Sequence, residues 1–564
     1  MPGLRRFSSV AIVLWLVFTS GDRQRPFAYQ VTVTPAPSVA AAIRAIVETR
    51  TGRLTEPLSL REQQQLTALY APGDHLPLWT DAVGRVNSDA RDALALLNAA
   101  TNDGMDPLDY AAPRLQKSAA GLAAAFVAPV DDIAVFDVSL SANMLRYFQH
   151  LHFGRVDPRA MGYRMPPRER DDLAGLLRVA VVEHALSEAA SELNPSIPLY
   201  RQLRSALARY RTLAADPELT AFQPPRATLR PGERWEGLPQ LYRLLVALGD
   251  LAAAESDRAD LMLYDGAVVD GVRHFQMRHG LDIDGVLGKT TRAALTVPLS
   301  WRVRQLEIAL ERMRWLPHLD RDRLVVVNIP MFRLRAVNGP AGAGVSSFSS
   351  PVIVGRALHT RTPVLVEEME YVIFRPYWNV PSSIVRQEIL PAIRRTPGYL
   401  QRHDMEIVSG QPDSAPVVPS TDANLARLRD GTLRLRQRPG PKNSLGLVKF
   451  VFPNDSNVYL HGTPAMELFS HARRDFSHGC MRVADPVGFA EWVLAEQPGW
   501  DRDAILAAMN APASRRVDLP HPIQVIVFYL TAALTIDEGS VQFAEDIYSH
   551  DARLDQYLTW RSGS

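Results

Sequence analysis

The residues able to do covalent chemistry fall in two short segments. Cys480 is the single cysteine among 564 residues. It stands in Phe476-Ser477-His478-Gly479-Cys480-Met481-Arg482, not in the apolar run where a cysteine is usually a small buried hydrophobe. His461 stands in Val458-Tyr459-Leu460-His461-Gly462-Thr463-Pro464, and Phe476 follows it by fifteen residues. A cysteine and a histidine brought together by folding are the minimal unit for acyl transfer, in which the thiolate attacks a carbonyl and the imidazole handles the protons. Backbone N–H groups in the turn around Cys480 can face a developing oxyanion, and a nearby protonated histidine or the backbone dipoles can stabilise the thiolate.

Two rival chemistries draw on the same residues. A metal site of His461, His471, His478 and Cys480 lacks both the paired C-x2-C spacing of structural zinc and an H-E-x-x-H motif, so no metal and no cofactor are expected. Ser477 as nucleophile lacks a Gly-x-Ser-x-Gly elbow. Arg5 and Arg6 precede the apolar stretch Val10 to Phe18. That is the n-region and h-region of an export signal, shorter than the roughly 18 residues of a spanning helix. Residues 1–28 are therefore expected to be a signal peptide, or a signal anchor if uncleaved. A chain with one cysteine holds no internal disulfide, and a free thiol in an oxidising compartment is a liability unless it is used. With 62 basic and 61 acidic side chains the net charge is +1, and no nucleic-acid partner is expected.

The elements that must position these residues follow from composition and periodicity. A chain of 564 residues exceeds one core, giving roughly two to four domains. Residues 38–230 have Ala, Leu and Arg at helical spacing and are expected to be an α-helical domain; Leu199, Leu203 and Leu207 with Tyr200 and Tyr210 form one apolar face. Residues 232–298 are expected to form three short helices (Leu238 to Asp250, Ala267 to His279, Lys289 to Leu295), with turns at Asp284-Gly285 and Leu287-Gly288. A connecting helix is expected in 299–322. Leu324 to Ile329, Val352 to Gly355, Tyr371 to Phe374, Leu447 to Phe452, Val458 to Leu460 and Gln524 to Phe528 are β-branched runs that predict strands of a domain over 323–535. The irregular, helical stretch 383–438 is expected to be a capping insertion, and 536–564 a C-terminal tail. Asp485 and Pro486 have the chemistry of an N-cap and first helical residue, so Cys480 lies on a turn just ahead of a helix.

Two resemblances rest on these residues. Val272, Phe275, Gln276, Gly280, Leu281, Asp284, Gly285, Gly288 and Thr291 resemble the signature of the three-helix peptidoglycan-binding module. His-Gly-Thr followed by Ser-His-Gly-Cys-x-Arg resembles the L,D-transpeptidase (YkuD-type) catalytic domain. So do Tyr377 to Ile384, Arg436 to Gly446 and Asp546-Ile547-Tyr548. Over nearly the whole chain the sequence is similar to the large periplasmic members of the YcbB type. The resemblance implies a multidomain α+β fold, with an α-helical scaffold domain, the three-helix module, and a β-rich catalytic domain bearing a helical capping insertion. It implies Cys480 as nucleophile, His461 as base with the Gly462 carbonyl orienting it, and His478 either in proton transfer or holding the turn. Cys480, Gly479 and Tyr459 are the implied oxyanion donors. Arg482, Trp378 and Ser477 are the implied substrate contacts, against plain structural roles for Arg482 as ion-pair partner of Asp485 and for Trp378 in the core. The implied donor and acceptor are peptidoglycan tetrapeptide stems, joined by 3→3 cross-links or trimmed by water, with other wall-synthesis proteins as partners and a periplasmic location. The non-enzymatic alternative is a wall-binding scaffold.

Overall fold

Apolar residues at helical spacing dominate the first third of the chain, and the computed structural model folds them into helices. It describes residues 38–49 and 59–560, apart from 82, 169–170, 254–261, 318, 320, 340–345, 359, 411–414 and 535–539. The expected signal segment lies outside the described residues. Among the described residues no helix is long and apolar enough to cross a membrane. Among the described residues, six α-helices from Val39–Thr49 to Leu186–Leu193 pack around a seventh, the 24-residue helix Val130–Phe153, sharing one core between Val39 and Leu193.

The helical domain expected over 38–230 ends its own core at Leu193. The next helix, Pro198–Ala214, buries Tyr200, Leu203, Leu207 and Tyr210 in a second, larger core that runs on to Leu558. The partner of this helix is Leu299–Met313, the expected connecting helix. That helix is a hub. Glu311 accepts the backbone N–H of Arg155 and of Val156 at 2.5 and 2.9 Å, and Arg314, just beyond the helix, donates to Glu311 and to the Tyr200 hydroxyl. The three-helix module (Leu238–Leu248, Gly266–Arg278, Lys289–Leu295) joins the same core. Its signature residues are structural: buried Gln276 donates to Asp284 and to the Val286 carbonyl and accepts from the Gly285 N–H.

The strands are β1 (Arg323–Asn328), β2 (Arg333–Asn338), β3 (Ser346–Ile353), β4 (Leu365–Phe374), β5 (Trp378–Asn379), β6 (Met405–Val408), β7 (Val417–Val418), β8 (Arg434–Gln437), β9 (Val448–Val451), β10 (Leu460–His461), β11 (Met481–Val483), β12 (Arg515–Phe528), β13 (Ala532–Leu534) and β14 (Val541–Phe543). Eight close a barrel in the order β1-β12-β4-β9-β10-β11-β3-β2, in which β1 with β12 and β10 with β11 are parallel and the other pairs antiparallel. The excursion between β4 and β9 is mixed: besides short helices it holds the sheet β5-β8-β6-β7 and a small core of its own around Ile407, Leu428 and Leu435. Its sheet begins at Trp378, paired with Gln437, so the unit starts before residue 383.

The segment expected to be a C-terminal tail is integral. β14 pairs with β13, and helix His550–Trp560 buries Leu554 and Leu558 in the main core. Asp551 pairs with Arg312 of the hub helix, both side chains fully buried. Polar sequence around a few apolar residues reads as a tail until its charged residue is seen to meet a partner 239 positions away.

Candidate active site

Strand β10 alternates as β-strands must, with Leu460 turned into the barrel core and Tyr459 and His461 toward the other face. The parallel partner β11 does the same, pairing Leu460 with Met481 and His461 with Arg482. Cys480 therefore falls opposite Tyr459, whose carbonyl accepts the Met481 N–H at 3.0 Å, and diagonally next to His461. Lys449, paired with His461 from β9, completes the face with its Nζ 3.6 Å from the centre of the Tyr459 ring. One register thus collects thiol, imidazole, phenol and two cations.

His461 is 4% exposed, and its Nδ1 donates to the Gly462 carbonyl at 2.5 Å, which leaves Nε2 with the lone pair. Burial, reinforced by Arg482 and Lys449, holds this imidazole down at about 3. It is neutral at working pH, so the expected support of the thiolate by a protonated histidine is corrected. The cations on the face are Lys449 and Arg482. Burial pushes the half-buried Cys480 thiol above its ordinary value, while the Tyr459 N–H and O–H, Lys449 and Arg482 pull the other way. The resting pair is a thiol beside a neutral base.

An unfolded histidine titrates near 6.5, so the unfolded chain takes up this proton first. The contribution of His461 to stability is complete above about pH 6.5 and declines as pH falls toward 3, by up to roughly 1.4 kcal/mol per pH unit. The His461 Cε1 proton resonance should accordingly not move between pH 8 and 5. A midpoint near 6.5 would remove the argument from burial.

The turn carrying Cys480 is braced from below. Ser477, 2% exposed, donates from Oγ to the Cys480 carbonyl at 2.5 Å and accepts the Gly479 N–H at 3.1 Å. The Ser477 hydroxyl and the Gly479 N–H, expected as substrate contact and oxyanion donor, are thus engaged within the turn itself. Tyr459 addresses the sulfur itself. Of the three expected oxyanion donors, the Cys480 N–H alone meets no protein acceptor among the described residues. Gly479 has φ +115°, which a side chain resists, and at Gly355 an added Cβ would lie 1.9 Å from the Thr360 carbonyl.

Thr362 donates to the Gly479 carbonyl and accepts the Gly355 N–H, both at 2.8 Å. Tyr548, from the supposed tail, donates to the Gly355 carbonyl at 2.5 Å and accepts the Thr362 N–H at 3.2 Å. Motif reading assigned no role to Thr362 or Lys449, and placed Tyr548 only within the Asp546-Ile547-Tyr548 resemblance. For Lys449 the usable signal was a lysine between Val448 and Phe450 in an apolar strand, since alternation turns it out of the barrel.

His478 Nε2 lies 2.6 Å from Glu388 Oε1, on the π-helical turn Val385–Ile389 of the insertion. It ties insertion to turn. Arg482 makes no ion pair with Asp485 among the described residues; Asp485 instead caps helix Pro486–Leu494, accepting the Gly488 N–H at 2.9 Å. Trp378 packs against the insertion's core. No three His, Cys, Asp or Glu side chains among the described residues are placed to share a metal ion.

A cysteine and a neutral histidine thus share one face of a small barrel, tied through His478 and Glu388 to the insertion. Residues 322–508 match the family model described as the L,D-transpeptidase catalytic domain (YkuD), residues 236–295 the model described as "Putative peptidoglycan binding domain", and residues 64–207 one described as a scaffold domain. The chain therefore carries an L,D-transpeptidase catalytic domain and a peptidoglycan-binding helical module behind a helical N-terminal region. It is also similar to a Haemophilus influenzae protein described as "Putative L,D-transpeptidase", 29% identical over 256 residues, which are 44% of this chain and 49% of that protein. The match spans about half the length of that relative.

Proposed function

We propose that this protein forms 3→3 cross-links in peptidoglycan through a thioester on Cys480. The observation that carries the reading is the β10–β11 register, which puts Tyr459, His461, Cys480 and Arg482 on one face. His461 Nε2 takes the thiol proton as the sulfur attacks the carbonyl of the third-position diamino acid in a tetrapeptide stem. The oxyanion that develops faces the Cys480 N–H. Collapse breaks the bond to the terminal D-alanine, whose amine leaves with the proton from His461. The side-chain amine of a second stem then gives its proton to His461, attacks the thioester and releases the thiol. Lys449 and Arg482 lower the cost of the thiolate between these steps. Arg482 is also suited to a stem carboxylate. The insertion caps the donor stem, joined to the catalytic turn by His478 and Glu388, and favours amine over water by limiting solvent access. Such a reaction belongs outside the cytoplasm, in the periplasm, after export by residues 1–28 or with that segment kept as an inner-membrane anchor. Other wall-synthesis proteins are expected partners.

Incubating the protein with disaccharide-tetrapeptides and weighing the products tests this directly. Dimers with loss of D-alanine are expected. Tripeptides alone would make the protein an L,D-carboxypeptidase, and no turnover would leave a wall-binding scaffold.

A further inference from the structure

A cavity of about 680 Å³ lies where the three-helix module meets the catalytic domain. The module lines it with His279 to Leu281 and Thr290 to Val297, the hub helix with Trp301 and Arg302, and the catalytic domain with Ala472 to Arg474 of the loop that leads from His461 to Cys480. Two of its arginines have no acid partner among the described residues. Arg302 is 8% exposed and donates only to neutral acceptors, the Gln305 side chain at 2.8 Å and the Ala294 carbonyl at 3.1 Å. Its charged neighbour is another cation, Arg278, and burial with that neighbour holds its guanidinium down at about 9.

Arg474 donates to the carbonyls of His471 and Phe332, while its buried Nε meets no hydrogen-bond partner. Beside it stands Arg333, and no acid among the described residues offsets either. The two carboxylates lining the cavity are engaged elsewhere. Glu545 pairs with Arg473, and Asp546 accepts from the Tyr529 hydroxyl and from the first N–H groups of helix His550–Trp560. A desolvated cation without a counter-ion is costly, and an anion entering the cavity recovers that cost.

We infer that this cavity is a second wall-ligand site, which takes a carboxylate of a peptidoglycan stem peptide on Arg474 and Arg302 while the peptide backbone lies against Trp301, Leu281 and Phe332. The module thereby delivers a stem to the catalytic domain through a site that neither contains alone. This rests on peptidoglycan being the substrate. The chemistry, an anion on guanidinium, is shared with phosphate, and the position between a wall-binding module and the catalytic loop favours the stem.

Isothermal titration of the full chain carrying Cys480→Ala, with a soluble disaccharide-tetrapeptide, should show two binding events. Adding Arg474→Met should weaken one of them about ten-fold and leave the other unchanged, as expected for loss of a charge-assisted contact. Arg302→Met should do the same if it folds, and Arg474→Met, half-exposed at the cavity wall, decides the matter if it does not. The disaccharide alone and inorganic phosphate should not reproduce the Arg474-dependent event. A single event, or two events both indifferent to Arg474→Met, overturns the site; phosphate competing as well as the stem overturns the stem as its ligand. In the otherwise unaltered chain, acylation of Cys480 by a carbapenem should survive Arg474→Met. Failure of the adduct in the unaltered chain would instead strike the catalytic reading, so the two failures are distinguishable.

Discussion

Cys480→Ala should lower the rate of acyl transfer from a tetrapeptide donor on the order of 10⁴-fold or more, because the phenol, imidazole and ammonium that share its face cannot replace a thiolate in attack on an acyl carbon. Thermal stability should barely change, since the side chain is half-buried and fills little of the core. His461→Ala gives the more informative result. General base catalysis contributes typically about 10² to 10⁴-fold, and that loss is expected near pH 7, where burial keeps the thiol protonated. As pH rises, solvent ionises the thiol without help. The deficit of the variant should therefore shrink, log kcat/KM climbing about one unit per pH unit while the unaltered enzyme stays nearly flat. The measurement is a steady-state pH profile of both proteins. A deficit of constant size at every pH would mean that His461 shapes the face without moving the proton.

The second large effect is on stability. Asp551→Ala leaves the Arg312 guanidinium buried without its carboxylate and removes the acceptor of the Thr531 hydroxyl. Breaking one side of a buried ion pair costs about 3 to 5 kcal/mol, a large share of what a domain has in reserve. A fall in the denaturant midpoint is expected together with a loss of activity, because the same C-terminal segment carries Tyr548 to the Gly355 carbonyl beneath the catalytic turn. Replacing both partners with apolar residues, Arg312→Met with Asp551→Leu, should recover most of the stability, since no charge is then stranded. If Asp551→Ala cost less than about 1 kcal/mol in urea unfolding, the C-terminal helix would be a dispensable appendage after all.

Much of this was legible in the residues, because local rules governed it. β-Branched runs such as Leu324 to Ile329 became barrel strands, and Asp485-Pro486 became a helix cap, since strand propensity and capping depend on the residue itself and on neighbours a few positions away. The candidate pair of a lone cysteine and a histidine was equally visible, as was the three-helix module through Gln276 and Asp284, whose hydrogen bonds close within one short segment. What only the tertiary structure decided depends on long-range pairing and on burial. The parallel β10–β11 register chose which residues share a face with Cys480 and so brought in Lys449 from another strand. Packing around His461 stripped it of solvent and set two cations beside it, which made it a neutral base and not half of an ion pair. Partners far off in the chain gave His478 and the C-terminal segment their roles: Glu388 for the one, Gly355 and Thr362 beneath the turn for the other. Such contacts leave no periodicity behind, because what sets them is where the closed barrel puts each strand.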